Sequence, residues 1–352
     1  MSIGSLATPL LILVFVAAAG GIWVAGIRLA SSTQALDTRF HLGSAIGGLL
    51  LLAIATDLPE LAIAITAALN DNLGLAVGNL LGGVAIQTLV LAALDAAAGP
   101  DRPLTYMAGS LLVVLEGALV ALVTVAAIMT AQLPEKTNFI GVSPGTIAIV
   151  LMWLVGLKII AQARGDMRWQ VKPEGARPGR TYAERRRVVP KPHKQHSPSV
   201  VLLIFAAAAA VTLVAGVLIE MSGDELAGRA GLSGPVFGAT ILAAATALPE
   251  LSTGLAAVRD ADIELAISDI LGGNAVLPAL FIFVDLFAGR PALPGAAATD
   301  TWIAGLGVLL TGIYMVGVIL RPKRTFWRMG PDSIAAITVY ALGIGGLFLV
   351  AN

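Results

Sequence analysis

The pentapeptide Thr56-Asp57-Leu58-Pro59-Glu60 returns 190 positions later as Thr246-Ala247-Leu248-Pro249-Glu250, and each copy lies inside a long apolar run. A carboxylate in the middle of a membrane-spanning helix costs a few kcal/mol even on lenient insertion scales, about 3 kcal/mol per residue. Two of them, each beside a helix-breaking proline, therefore call for a shared purpose. A cation held between two matching half-proteins supplies one.

Working outward, residues 53–83 align with 243–273 without a gap, and 13 of the 31 positions are identical. Alanine and leucine alone would give some identities in so apolar a chain. Pro-Glu and Gly-Gly held at one register do not arise that way, so the halves are expected to be duplicates.

Composition places the whole chain in a bilayer. It is 57% hydrophobic and 12% charged, with a mean hydropathy of +0.88. Cysteine is absent, which excludes disulfides, thiolate metal sites and thiol catalysis. The first apolar stretch, from about Thr8 to Ala30, is too long for a signal-peptide core and reads as the first span.

Runs long enough to cross the membrane lie near 7–30, 43–69, 73–97, 104–130 and 140–162, and again near 199–221, 232–257, 262–287, 300–320 and 332–351. The expected fold is an all-α polytopic membrane protein of ten transmembrane helices, built as two five-helix repeats. The first unit covers 1–163, with its repeated segment at about 43–97. A basic linker covers 164–198, and the second unit covers 199–352, with its repeated segment at about 232–287.

Ten of the 22 Lys and Arg residues fall between Arg164 and Lys194. With that linker placed on the cytoplasmic side, alternation of the loops puts 19 of the 22 inside and leaves Lys136, Arg229 and Arg290 outside. Both termini are then expected outside, in a prokaryotic plasma membrane. Because five is odd, the second repeat enters the bilayer upside down relative to the first.

The chemistry of the repeated segment is that of hard oxygen ligands. Proline lacks an amide hydrogen, so Pro59 and Pro249 should free the carbonyls of Ala55 and Ala245 within their helices. Thr56 and Glu60 share a helix face, with Asp57 one step round, so hydroxyl, carboxylates and carbonyl can converge. Such a set suits Ca²⁺, Na⁺ or a proton and not softer metals. The following helix carries Gly78-Asn79-Leu80-Leu81-Gly82-Gly83 in one copy and Ser268-Asp269-Ile270-Leu271-Gly272-Gly273-Asn274 in the other. The glycine pairs suit close helix packing, and Asn79, Asp269 and Asn274 are candidate supporting ligands.

These segments, Ala-Thr-Asp-Leu-Pro-Glu-Leu followed by Gly-Asn and Gly-Gly, resemble the α-repeats of the cation/Ca²⁺ exchanger superfamily, which includes the Na⁺/Ca²⁺ exchangers. The usual pattern there is Gly-Thr-Ser-Leu-Pro-Glu and then Gly-Asn-x-x-Gly-Ser-Asn-x-x-Asn. The resemblance implies that Glu60 and Glu250 are shared ligands for Ca²⁺ and Na⁺, flanked by Thr56 and Thr246. It also implies alternating access, with the first and sixth helices sliding against the rest of the bundle.

The chain departs from that pattern. The serine three residues before each glutamate is Asp57 in one copy and Ala247 in the other. The serine after the glycine is Gly83 and Gly273, and the polar residue 27 positions after each glutamate is Gln87 and Leu277. Lost hydroxyl and amide positions weaken the expectation of Na⁺ coupling, while Asp57 adds a charge that could hold Ca²⁺ or carry a proton.

The expected activity is secondary antiport of Ca²⁺ against Na⁺ or H⁺, with the lipid bilayer as surroundings, no resident cofactor and no nucleic-acid partner. A degenerate exchanger acting as a cation channel or regulatory partner stays open. An intramembrane enzyme is disfavoured by the absence of His-Glu-x-x-His or a suitably paired serine within the spans. Asp95 and Asp285, also 190 apart, are expected to reach water from helix ends, and Glu116 to hydrogen-bond within the bundle.

Overall fold

The computed structural model describes residues 5–40, 54–108, 110–166 and 197–351. Most of the basic linker, the start of the second span and all three histidines, His41, His193 and His196, lie outside the described residues. Everything regular within them is helical. The only strand-like pairings among the described residues are two isolated bridges, Phe139 with Val142 and Phe326 with Met329.

We number the spanning helices in chain order. The first half has α1 (Thr8–Phe40), α2 (Leu58–Leu69), α3 (Leu73–Ala98), α4 (Leu112–Thr130) and α5 (Pro144–Asp166). The second has α6 (Pro198–Ala230), α7 (Leu248–Arg259), α8 (Ile263–Ala288), α9 (Ala298–Leu320) and α10 (Pro331–Ala351). Eight of these are long and apolar enough to cross a membrane unaided, and α7 with the segment before it makes a ninth, bent span. α2 is the described part of the tenth. The result is a ten-helix polytopic fold of two inverted five-helix repeats.

Two helices exceed their expected length. α1 and α6 each run 33 residues, roughly 50 Å at 1.5 Å per residue, against a hydrocarbon core about 30 Å thick. They pack on each other, and Arg229 near the end of α6 hydrogen-bonds to Thr8 Oγ1 and the Leu6 carbonyl at the start of α1. They are therefore antiparallel, as inversion requires. The fourth span is shorter than expected: Leu104–Met107 forms a separate short turn of helix, and α4 begins at Leu112.

The duplication extends into turns that sequence identity does not reach. Asp71 and Ala261, 190 apart, both adopt positive φ (60° and 56°) in the turn before α3 and α8. Asn72 and Asp262 then cap those helices through Leu75 N and Leu265 N. The Phe139 and Phe326 bridges, 187 apart, sit just before α5 and α10.

Asp95 and Asp285 fasten each half to the other. Asp95 is 1% exposed and accepts from Leu104 N, Gly330 N and Ser333 Oγ, each at 2.6 Å. Asp285 is fully buried and accepts from Ala292 N and Thr146 Oγ1 at 2.8 Å and from Ser143 N at 3.1 Å. Thus Asp95 of the first half holds the start of α10, and Asp285 of the second holds the start of α5. The expectation that these carboxylates reach water is corrected: the amides at the mouths of α10 and α5 take the place of water. Glu116 is buried on α4, within the bundle.

A candidate cation site between the two halves

The repeated motif does not place proline inside a helix. Both spans break at the residue before leucine: Asp57 (φ −81°, ψ 5°) and Ala247 (φ −75°, ψ 3°) leave the helical geometry, and α2 and α7 begin anew at Leu58 and Leu248. Pro59 and Pro249 occupy the first turn, where a missing amide hydrogen removes no helical bond. The expected loosening of Ala55 and Ala245 is thus replaced by a full helix break. The Gly238–Thr246 segment and α7 meet at 46°, and the former opens with a π-helical turn, Gly238–Leu242.

Each break carries a glutamate one turn into the new helix. Glu60 and Glu250 are both fully buried, and with Asp57 they offer ligand oxygens that lie within 4.8 Å of one another. Thr56 and Thr246, likewise fully buried, precede the breaks. Thr246 Oγ1 donates to the Ala243 carbonyl at 3.2 Å.

The supporting residues divide into two sets. Gln87 on α3 donates its amide to Glu60 Oε1 at 3.1 Å, and Asp269 on α8 is buried and accepts from Thr253, one turn beyond Glu250. Asn274 is not engaged by the carboxylates; its amide donates to Thr88 Oγ1 at 2.8 Å, across the halves. Asn79 is fully buried, with neither end of its amide hydrogen-bonded.

Two further residues join the site without having stood out in the sequence. Thr253 donates its hydroxyl to Asp269 and lies one turn beyond Glu250, so the three-residue spacing is a usable signal. Thr88 adjoins Gln87 but is recognisable only from its bond to Asn274.

Both oxygens of Asp57, both of Glu250, Glu60 Oε2, Gln87 Oε1 and Asp269 Oδ1 are buried without a hydrogen-bond partner. Three carboxylates, Asp57, Glu60 and Glu250, meet in one dry space with most of their oxygens unpaired, which is strongly unfavourable unless positive charge enters. Oxygen acceptors gathered in this way fit a hard cation.

Comparison with known proteins agrees with this architecture. The chain is 27% identical over 321 residues to the inner membrane protein YrbG of Escherichia coli (strain K12), covering 90% of this chain and 88% of that one. Its fold is similar to that of the sodium-calcium exchanger NCX_Mj, with a TM-score of 0.62 at 15% identity over 96% of this chain and 99% of that chain. It is also similar to the H⁺/Ca²⁺ exchanger CAX, with a TM-score of 0.64 at 14% identity over 97% and 87%. The sodium/calcium exchanger protein family matches residues 10–161 and 199–348, both five-helix halves, and the chain belongs to that family.

Proposed function

We propose that the protein is a secondary antiporter that moves Ca²⁺ against Na⁺ or H⁺ by alternating access, with Glu60 and Glu250 as the central ligands. The observation that carries this reading is the meeting of Asp57, Glu60 and Glu250, from two inverted halves, within 4.8 Å and out of contact with solvent. Thr56, Thr246, Gln87 and Asp269 complete the surroundings; Asn274 ties α8 to α3 through Thr88, and Asn79, buried with its amide unpaired, is a candidate supporting ligand.

Charge sets the direction of the logic. The empty site holds several mutually repelling carboxylates, so crossing between orientations is favoured only when cations neutralise them. Movement in one direction therefore requires return with another cation. That obligation is exchange.

In this reading residues 1–163 and 199–352 are the two repeats and 164–198 is the cytoplasmic tether between them, with both termini on the opposite face. Family membership and the H⁺/Ca²⁺ exchanger likeness support a cation cargo; Na⁺ and H⁺ are the two candidate counter-ions.

The test is uptake of radiolabelled Ca²⁺ into proteoliposomes under an outward Na⁺ or H⁺ gradient. Glu60→Gln and Glu250→Gln should each abolish gradient-driven uptake while the protein still purifies as a folded monodisperse species. Undiminished uptake in both variants would remove the proposal, and flux indifferent to the opposing gradient would make the protein a channel.

A further inference from the structure

Pseudo-twofold duplication predicts that whatever flanks Glu60 should also flank Glu250. Three pairs of positions break that rule in one direction: Asp57 corresponds to Ala247, Gln87 to Leu277, and Asp269 to Asn79. The first member of each pair is charged or amide-bearing and lies beside the central glutamates. Of the second members, two are apolar and the third is a neutral amide.

The asymmetry is physical as well as textual. Asp57 stands at the N-cap of α2, where an aspartate ordinarily accepts from the first-turn amides, yet its side chain makes no capping bond. It turns instead toward Gly273: a Cβ built there would lie 3.3 and 3.4 Å from the two Asp57 oxygens and 3.5 Å from Gln87 Oε1. The Gln87 amide nitrogen donates to Glu60 Oε1, and its carbonyl oxygen faces the Gly273 backbone. Three buried acceptor oxygens without donors therefore face the same bare backbone.

The mirrored face is filled. A Cβ built at Gly83, the counterpart of Gly273, would lie 2.7 Å from Leu277 Cδ1. A methyl group thus occupies the position that corresponds to the Gln87 amide, and Ala247 offers no ligand. Hydrocarbon cannot replace the hydration shell of an ion.

Building on the function proposed above, we propose that the cargo binds off the pseudo-twofold axis, as a single divalent cation held by Glu60, Glu250, Asp57 and Gln87 beside Gly273, and that the Leu277 flank is closed to ions. The site then carries fewer ions per cycle than one with both flanks polar. Asp57 and Gln87 set that number, and Gly273 leaves the room they need.

Equilibrium binding of radiolabelled Ca²⁺ to the purified full-length protein tests this. The wild type should take up one Ca²⁺ per chain. Asp57→Asn, which keeps shape and removes charge, should weaken binding about 10- to 100-fold, in the range seen when metal-site groups are altered. Leu277→Met, on the closed flank, should bind as the wild type does. Two ions per chain, unweakened binding in Asp57→Asn, or loss in Leu277→Met would each overturn the inference. If Glu60→Gln loses binding while Asp57→Asn does not, only the off-axis inference fails. Wild-type protein that binds no Ca²⁺, or glutamate variants that bind normally, would remove the functional reading as well.

Discussion

Gly216 on α6 lies directly against Pro59 at the start of α2: a Cβ built on Gly216 would fall 2.8 Å from Ala62 Cβ and 3.0 Å from the Pro59 carbonyl oxygen. Its counterpart 190 positions earlier, Gly26 on α1, meets Pro249 in the same way, at 2.8 Å from its Cβ. Each long helix of one half therefore rests a glycine on the helix break of the other half. Valine at either position should overpack this contact, at about 1–3 kcal/mol. Gly216→Val and Gly26→Val are expected to lower the thermal midpoint and slow exchange while leaving Ca²⁺ affinity nearly unchanged. Gly228→Ala on α6, which meets nothing within 4 Å, is the control and should stay neutral or gain slightly. Equal effects at all three positions would rule out the contact as the cause.

Asp95 and Asp285 each gather three donors, two of them backbone amides; one amide comes from the carboxylate's own half, and the other amide and a hydroxyl come from the start of a helix in the opposite half. A hydrogen bond to a charged group is worth about 1.5–3 kcal/mol, and its loss leaves the buried donors unpaired. Asp95→Ala and Asp285→Ala should therefore destabilise the protein strongly, by roughly 3 kcal/mol or more. Reduced yield of monodisperse protein and a lowered melting midpoint in detergent would show it. Asp95→Asn should be milder, since one oxygen can still accept, but should remain below wild type. Because neither residue belongs to the proposed ion site, the Ca²⁺ affinity of whatever protein survives should match the wild type.

The loops sort into two faces by their contacts. Arg290 pairs with Asp71 at 2.5 Å, a Cβ at Gly141 would touch the Gly289 carbonyl, and Asn72 donates to Asp224 at 2.6 Å, which groups these turns with the start of α1 and the end of α6. On the other face the Arg321 guanidinium stacks 4.7 Å over Tyr106, Arg102 lies 4.9 Å from the same ring, and Thr325 bonds to the Pro100 carbonyl. By the positive-inside bias, the second group is expected on the cytoplasmic side. The absence of cysteine makes the native chain a ready background for labelling. In intact cells, Lys136→Cys should react with a membrane-impermeant maleimide, whereas Arg324→Cys should react only after lysis. The reverse pattern would invert the orientation and leave the fold untouched.

Much of the architecture is legible in the sequence because a bilayer imposes it. Spans of fixed length, a charged loop excess and a gapless repeat define ten helices and their inversion before any contact is known. Glu60, Glu250 and Asp57 are legible for a related reason, since a carboxylate beside a proline in an apolar run is too costly to keep without a ligand. What stays hidden is non-local. Asp95 reads as a helix-end residue until Gly330 and Ser333, 235 and 238 positions away, are seen to enclose it. The helix break takes the form of a loosened interior in the sequence, because a proline looks the same in the first turn as in the middle; only the backbone at Asp57 and Ala247 separates the two cases. The role of Gly273 depends on where Asp57 turns, which no periodicity encodes.

The orphaned oxygens around Glu60 and Glu250 link stability to cargo. Without a cation, the carboxylates of Asp57, Glu60 and Glu250 meet in a buried space, and that repulsion works against the folded state. A cation that binds only the folded protein stabilises it by RT ln(1 + [L]/Kd), about 2.7 kcal/mol at a hundredfold excess over Kd. Ca²⁺ should therefore raise the melting midpoint of wild-type protein in detergent, and chelation should lower it. Glu60→Gln removes one repelling charge and one ligand together, so its midpoint without Ca²⁺ should lie above that of the wild type, while its response to Ca²⁺ should vanish. Acidification should act in the same direction as the substitution, because protons occupy the same oxygens and leave less for the cation to stabilise. A Glu60→Gln protein that is less stable than the wild type under chelation would mean that the hydrogen bond from Gln87 outweighs the repulsion among the carboxylates, and the proposed ion would lose its reason to bind there.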